Sequence, residues 1–416
     1  MKKVKTLIGI AVLVLSVSKS FANANEDLVK AVMAHNIDGM KAAITAGANV
    51  DNPDASGGSS PLFGAIWWPD AVKVLIDAKA NVNFKNKAGA TPLISAALQG
   101  ETESIKLLLA AGADVKVADG TGNTALSYAC FGGSRADALQ VLIDAGADPN
   151  SIDNTKMSCL LKLCVAGKTP LEKMTLIKSQ AIYFAKAGLV LNHRYTDPKE
   201  SDYSSIGEMV DVLVKGKADV NYSIGKSGFT ALNYAAKMGR NDAIKSLINA
   251  KADVNAKTIN GWTALCYAAD RKSCTEGALA LVAAGADVNI IIPMAGFNQE
   301  NGALSKPNDG VDAGSDKLVK GHAKKVTPLM LAAKEGNLEL VKALIAAKAD
   351  LDIVYEAEAA TNWKVIIGVG TTTTTTSESG TAMTLANDFK HPEVAAVLEK
   401  AGAKPVREAM KSNKKK

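Results

Sequence analysis

The chain is poor in the residues on which most enzyme chemistry rests. Only 4 of its 416 residues are His (His35, His193, His322 and His391), and no ligand spacing relates them. Cys130, Cys159, Cys164, Cys266 and Cys274 are the five cysteines, an odd number that closes no disulfide framework. Phe, Tyr and Trp make up 5% of the chain, which excludes one thick aromatic core and favours many thin, similar layers. A phosphate-cradling Gly loop, a Ser-His-Asp arrangement and paired zinc motifs are all missing. No apolar run reaches the roughly 20 residues of a membrane-spanning helix. A non-catalytic chain without metal or cofactor is therefore expected. With 47% apolar and 22% charged residues, it is nonetheless neither disordered nor collagen-like.

The N-terminus reads as an address. Lys2, Lys3 and Lys5 precede an apolar run from Leu7 to Val17, and Ala22-Asn23-Ala24 supplies a small-x-small cleavage site. These parts in this order predict a secretory signal peptide over 1–24 and a periplasmic or secreted mature protein beginning at Asn25. An uncleaved anchor is the competing reading, but the run is about half the length a span needs. Removing 1–24, with four Lys and no acid, takes the net charge from +6 to +2. The tail from Lys404 holds six basic residues against Glu408, so the body between is net −3. The basic balance sits at the ends and not on a folded face, which argues against nucleic acid as a partner.

What the chain has in abundance is self-similarity. Ala46-Gly47-Ala48-Asn49-Val50 recurs as Ala78-Lys79-Ala80-Asn81-Val82, Ala111-Gly112-Ala113-Asp114-Val115 and Ala145-Gly146-Ala147-Asp148-Pro149. Later copies centre on Gly188, Lys217, Lys251, Gly285, Lys348 and Gly402. About 21 residues before most of them stands a second string: Ser60-Pro61-Leu62, Thr91-Pro92-Leu93, Thr124-Ala125-Leu126, Thr230-Ala231-Leu232, Thr263-Ala264-Leu265, Thr327-Pro328-Leu329 and Thr381-Ala382-Met383. Thr91 to Thr124 and Thr230 to Thr263 are both 33 residues. The hydroxyl residue caps a short helix, and Pro follows where no amide hydrogen is lost. Paired Ala (Ala96-Ala97, Ala235-Ala236, Ala332-Ala333) lets the next layer approach. A second helix then closes at Gly112 and its equivalents, where a left-handed residue is cheapest. Lys79, Lys217, Lys251 and Lys348 stand at that position at a cost of about 1 kcal/mol each.

These strings resemble the ankyrin repeat family, with its Thr-Pro-Leu-His and Gly-Ala-Asp-Val-Asn signatures. The resemblance covers about ten units from Asn25 to Lys404, seven of which match both strings. It implies an all-α ankyrin-repeat solenoid of helix-turn-helix units with finger hairpins. The family's His is absent, replaced by Phe63, Ile94, Ser127, Asn233, Cys266, Met330 and Thr384.

The pattern divides the chain into an N-terminal capping repeat (25–57), repeats over 58–192 with the last degenerate, and repeats over 193–289 with the first degenerate. An insertion (290–325), a repeat (326–352), a Thr-rich insertion (353–380), a C-terminal capping repeat (381–404) and a basic tail (405–416) follow. A seam falls near residue 195, beside Pro198, and reads as a hinge, a docking site or sequence drift. The β-branched content of the second insertion suggests an elongated hairpin or a Thr-rich flap. Cys130 and Cys164 occupy the same place in adjacent units, a small buried position too far apart for an unstrained disulfide. Cys266 and Cys274 meet within one unit only if the intervening helix ends early.

The family resemblance implies a concave groove, lined by finger tips and by the ends of the first helices. Trp67, Trp68, Lys87, Phe131, Phe229, Met238, Trp262 and Arg271 fall at those places, and aromatics and Arg are the usual anchors of binding energy. A second reading of Trp67 and Trp68 is that they cover a shortened interhelix turn, since their repeat lacks two residues. The expected function is protein–protein interaction: a periplasmic scaffold or regulator binding an exported protein, or a secreted effector acting on another cell's protein.

Overall fold

The computed structural model describes residues 24–54, 58–133, 135–165, 204–293, 325–356 and 379–404. The signal segment before Ala24, the seam near 195, the interiors of both insertions and the basic tail lie outside the described residues. The chain divides into two compact units, Met1–Ser205 with Val212–Ala218 and Ile206–Asp211 with Asp219–Lys416. Among the described residues no helix is long and apolar enough to cross a membrane.

Helix pairs build each unit. In the N-terminal unit the pairs are 24–33 with Ile37–Thr45, Pro61–Ala65 with Pro69–Asp77, Pro92–Gln99 with Thr102–Ala110, and Ala125–Tyr128 with Ala136–Asp144, before Cys159–Val165. The capping repeat thus has a first helix although it lacks the Thr-Pro-Leu string. In the C-terminal unit the pairs are Ala231–Lys237 with Asn241–Asn249, Ala264–Ala269 with Thr275–Ala283, Pro328–Lys334 with Leu338–Ala346, and Ala382–Asp388 with Pro392–Lys400. The caps are the expected ones: the Thr91, Thr124, Thr230 and Thr327 side chains each accept from the backbone N–H three residues on. Ala96, Ala97, Ala235, Ala236, Ala268, Ala269, Ala332 and Ala333 are fully buried, so layers meet at the smallest side chain available. Where the family's His is missing, Asn233 completes a reciprocal capping box: its Oδ1 accepts from Thr230 N (3.1 Å) while its own backbone N–H donates to the Thr230 hydroxyl oxygen (3.3 Å). Its Nδ2 also donates to Ala256 O (3.3 Å).

The repeats are tied at their fingers by a ladder of Asn and Asp side chains. The first residue of each finger accepts from the N–H two residues on, as Asn81 does from Asn83 N (3.0 Å). The third residue accepts from the next repeat: Asp51 from Asn81 N (2.8 Å), Asn83 from Asp114 N (2.7 Å), Asn221 from Asp253 N and Asn255 from Asp287 N (both 2.8 Å). At Asn83, Asn150, Asn255 and Asn289 the Nδ2 also donates to the carbonyl of the next left-handed residue, from Asn83 to Gly112 O at 3.0 Å and from Asn289 to Lys348 O at 3.3 Å. Asn289 accepts from Asp350 N (2.7 Å) and Asp352 from Lys404 N (3.2 Å), so the rungs span both insertions. Each insertion begins and ends on a short antiparallel pair, Ile292↔Val326 and Tyr355↔Gly380.

Lys79, Lys217, Lys251 and Lys348 are left-handed, with φ between 63° and 70°, as are Gly112 and Gly285 at the matching places. A Cβ added at Gly112 or Gly285 meets nothing within 4 Å, so Lys here incurs a backbone cost without a clash. That cost is roughly 1–2 kcal/mol, offset by the roughly 0.5–1 kcal/mol that Gly loses to unfolded-state freedom. Lys251→Gly is therefore expected to stabilise the chain by about 0.5–1 kcal/mol, read as an upward shift of the urea midpoint; an unchanged or lower midpoint would refute this reading.

Sequence reading missed a buried polar network in the N-terminal unit. Asp119 accepts from the Tyr128 hydroxyl (2.6 Å) and from Thr121 N and Asn123 N (2.9 and 3.0 Å). One repeat later Asp153 is organised in the same way, but Lys162 replaces the Tyr, its Nζ 2.9 Å from Asp153 Oδ2 and bonded to Asn123. Burial opposes ionisation of Asp153, but the Lys162 ammonium and the Thr155 hydroxyl outweigh it and hold the carboxyl below its ordinary range. Stability from this group is present above the unfolded pKa and is lost as pH falls through the depressed folded value. Lys162→Met is expected to cost about 3 kcal/mol near neutral pH by leaving Asp153 buried without its ammonium. The difference from the parent should narrow as pH falls and the carboxyl protonates in both proteins, a trend that urea titrations at several pH values would show.

Candidate interaction surface

Each groove position is set by its distance from the capping hydroxyl. Phe229 and Trp262 stand immediately before Thr230 and Thr263. Phe229 is fixed by antiparallel pairing with Ile224 across its own finger, and both rings are half-buried. Tyr234 and Tyr267, four residues after each cap, complete the cluster. The Phe229 ring lies 4.8 Å from Tyr234 and 5.5 Å from Tyr267, and Trp262 lies 4.9 Å from Tyr267. All three contacts are tilted, a favourable arrangement for aromatic pairs. Lys237 ends the helix Ala231–Lys237, where the helix dipole suits a cation. Its Nζ sits 5.4 Å from the Phe229 centroid and 5.9 Å from that of Tyr267. Sequence reading named Phe229 and Trp262 but not Tyr234, Tyr267 or Lys237; the signal was their constant offset from the cap.

Beyond the cluster the row of helix ends becomes an ion pair. Asp270 and Lys334 occupy the place of Lys237 in the next two repeats, and Lys334 Nζ lies 2.6 Å from Asp270 Oδ1 and 3.2 Å from Glu335. Both partners are largely buried. Burial pushes the Asp270 carboxyl above its ordinary range despite the Lys334 ammonium. Met238 and Arg271 flank this row and are half-buried.

The remaining candidates belong to the N-terminal unit and differ among themselves. Trp67 is only 5% exposed, in the three-residue connection between Pro61–Ala65 and Pro69–Asp77. Its repeat is two residues short here, and burial of the ring corrects its assignment to the groove: this ring belongs to the core. Trp68 caps the following helix, half-buried, with its ring against His35 at 3.3 Å. Lys87 is exposed on its finger, and half-buried Phe131 lies in a π-turn over Ala129–Gly133.

All five cysteines are buried free thiols. The pairings considered from sequence miss the contact that forms, in which Cys159 lies against Cys130. A hydrogen bond with Cys130 pulls the Cys159 thiol down to about 7 against the opposing effect of burial, with help from Ser151, Lys162 and Ser127. No group of three or more His, Cys, Asp or Glu among the described residues is placed to hold a metal ion.

The contrast between Trp67 and Trp262 is measurable. Trp262→Ala removes one half-exposed ring contact and should cost about 0.5–1.5 kcal/mol with helical circular dichroism unchanged. Trp67→Ala empties a core site and should cost about 3–5 kcal/mol. Equal losses in thermal melts would return Trp262 to the core.

Comparison with known proteins agrees with this geometry. The family profile described as ankyrin repeats (3 copies) matches residues 62–153 and 202–292, and the single ankyrin repeat profile matches 324–355. The chain is 44% identical to Regulatory protein NPR6 of Arabidopsis thaliana over 59 residues, 14% of this chain and 13% of that protein. It is 29% identical to the Neurogenic locus Notch protein of Drosophila melanogaster over 152 residues, 36% of this chain and 4% of that protein. A Fowlpox virus ankyrin repeat protein, FPV230, is 37% identical over 60 residues, 14% of this chain and 32% of that protein. The chain therefore spans under a third of the length of each of these relatives. Ankyrin-repeat proteins are generally non-catalytic modules that bind other proteins. With profile matches over more than half of its length and the repeat geometry in both units, this chain belongs to the ankyrin repeat family.

Proposed function

We propose that this chain is a non-catalytic, exported binding module that holds a protein partner on the concave face of its ankyrin repeats, as a periplasmic scaffold or regulator. The observation that carries the proposal is the half-exposed cluster of Phe229, Tyr234, Trp262 and Tyr267. In a chain with 5% aromatics, four rings converge on two consecutive repeats and keep part of their surface in water. A ring needed only for stability would be buried, as Trp67 is. The export half of the proposal rests on the charged, apolar and small-residue parts of 1–24 in their order. The same leader suits a secreted effector acting on another cell's protein, and only the site of accumulation separates the two.

Affinity capture from the exported fraction tests the proposal, with the mature chain from Asn25 as bait and a Phe229→Ala, Trp262→Ala double variant as control. Trp67 is left intact so that the control stays folded. A partner held by the parent and lost by the control is the expected result. A partner retained equally by both would remove the groove assignment. Native protein found in the culture fluid instead of osmotic-shock contents would favour the effector reading.

A further inference from the structure

The face that carries the aromatic cluster is also cationic, and its counter-charges are engaged elsewhere. The finger and first helix over 222–240 hold Lys226 and Lys237 on this face and no acid at all, Arg240 being buried. The equivalent stretch 255–273 holds Lys257, Arg271 and Lys272 against Asp270 alone, and Asp270 is buried against Lys334. Lys226, Lys257 and Lys272 are exposed. The other acids of these repeats lie on the second helices and in the ladder turns. There Glu276 pairs with Lys245 at 2.7 Å, Asp242 accepts from Gly207 N at 3.0 Å, and Asp253 accepts from Asn255 N at 2.9 Å. Ile259, on the finger between the two aromatic positions, is 68% exposed and extends the apolar surface outward.

We infer that the partner segment is acidic: an extended stretch of polypeptide in which Asp or Glu flanks an aromatic or large aliphatic side chain. This rests on the groove reading above and adds the chemistry of what fills it. The apolar side chain covers the exposed surface of Ile259, Trp262 and Phe229. The flanking carboxylates meet the lysines of the two fingers and the ends of the first helices. Charge complementarity of this kind sets encounter rate and choice of partner more than raw affinity. The cluster does not suit stacked nucleobases, because the rings are already packed on one another at 4.8–5.5 Å and leave no gap to receive a base.

Selection of random displayed peptides of about twelve residues on the full chain tests this, followed by anisotropy of the labelled winners. Enriched peptides should carry Asp or Glu around one aromatic or Leu. Their affinity should fall roughly tenfold for a Lys226→Glu, Lys257→Glu double variant, and by a similar factor between about 50 and 500 mM salt. Winners without acids that still require Trp262 would overturn the acidic partner and leave the groove standing. Winners indifferent to Trp262→Ala, or no enrichment, would overturn the groove reading with it. A labelled oligothymidine that binds and competes with the peptides would show a polyanion site and likewise overturn the proposal.

Discussion

The stack depends on one side-chain interaction repeated along its fingers: an Asn amide oxygen or an Asp carboxylate oxygen accepting from the backbone N–H of the following repeat. Each rung is an exposed or half-exposed hydrogen bond worth on the order of 1 kcal/mol net. Its importance lies in position. Neighbouring helix pairs of Leu, Ile and Ala could slide by a turn with small loss of apolar contact, whereas the rung fixes one register. It also gives a function to the left-handed residue before it, whose carbonyl receives the Nδ2 of Asn83, Asn150, Asn255 or Asn289. An Asp at the third place accepts but cannot donate, so Asp51 and Asp352 make half of this contact. At Lys116 the side chain has no acceptor for the next repeat.

That register explains where the chain tolerates interruption. Asn289 and Asp350 are 61 residues apart in sequence, yet their rung has the same length as the one between Asn83 and Asp114, which are 31 apart. Behind it Lys334 pairs with Asp270, and Asn337 Nδ2 donates to the Thr275 hydroxyl at 2.8 Å. The insertion leaves after the rung and returns before the cap, on the two-residue pair at Ile292 and Val326. Entropy of loop closure grows only slowly with length, so a long excursion costs little once both of its ends are held.

Most of the fold was legible because the strings are local: a capping hydroxyl, paired Ala and a left-handed closure each act within a few residues. The site was legible only where position alone decides exposure, as at Phe229 and Trp262. Trp67 misled because a two-residue deletion turns a groove place into an interior one, and the deletion's effect depends on how the turn closes. The contacts Cys159 with Cys130 and Lys162 with Asn123 join different repeats, so spacing within one repeat could not foretell them.

The fourth place after the cap shows how one position serves both stability and display. In the N-terminal unit the finger offers Asp119 or Asp153 five residues before the cap, and Tyr128 or Lys162 turns inward to that carboxylate. In the C-terminal unit the same finger position is Gly225 or Thr258, neither of which has a carboxylate, and the Thr258 hydroxyl is buried with no hydrogen-bond partner among the described residues. Tyr234 and Tyr267 there lie against Phe229 and Trp262 instead, where the earlier repeats have Asn123 and Met157. Losing the finger carboxylate and gaining a ring before the cap are two substitutions with one effect. Together they convert a buried polar tie into a half-exposed aromatic face, and they leave the ladder and the Ala layers that hold the stack unchanged.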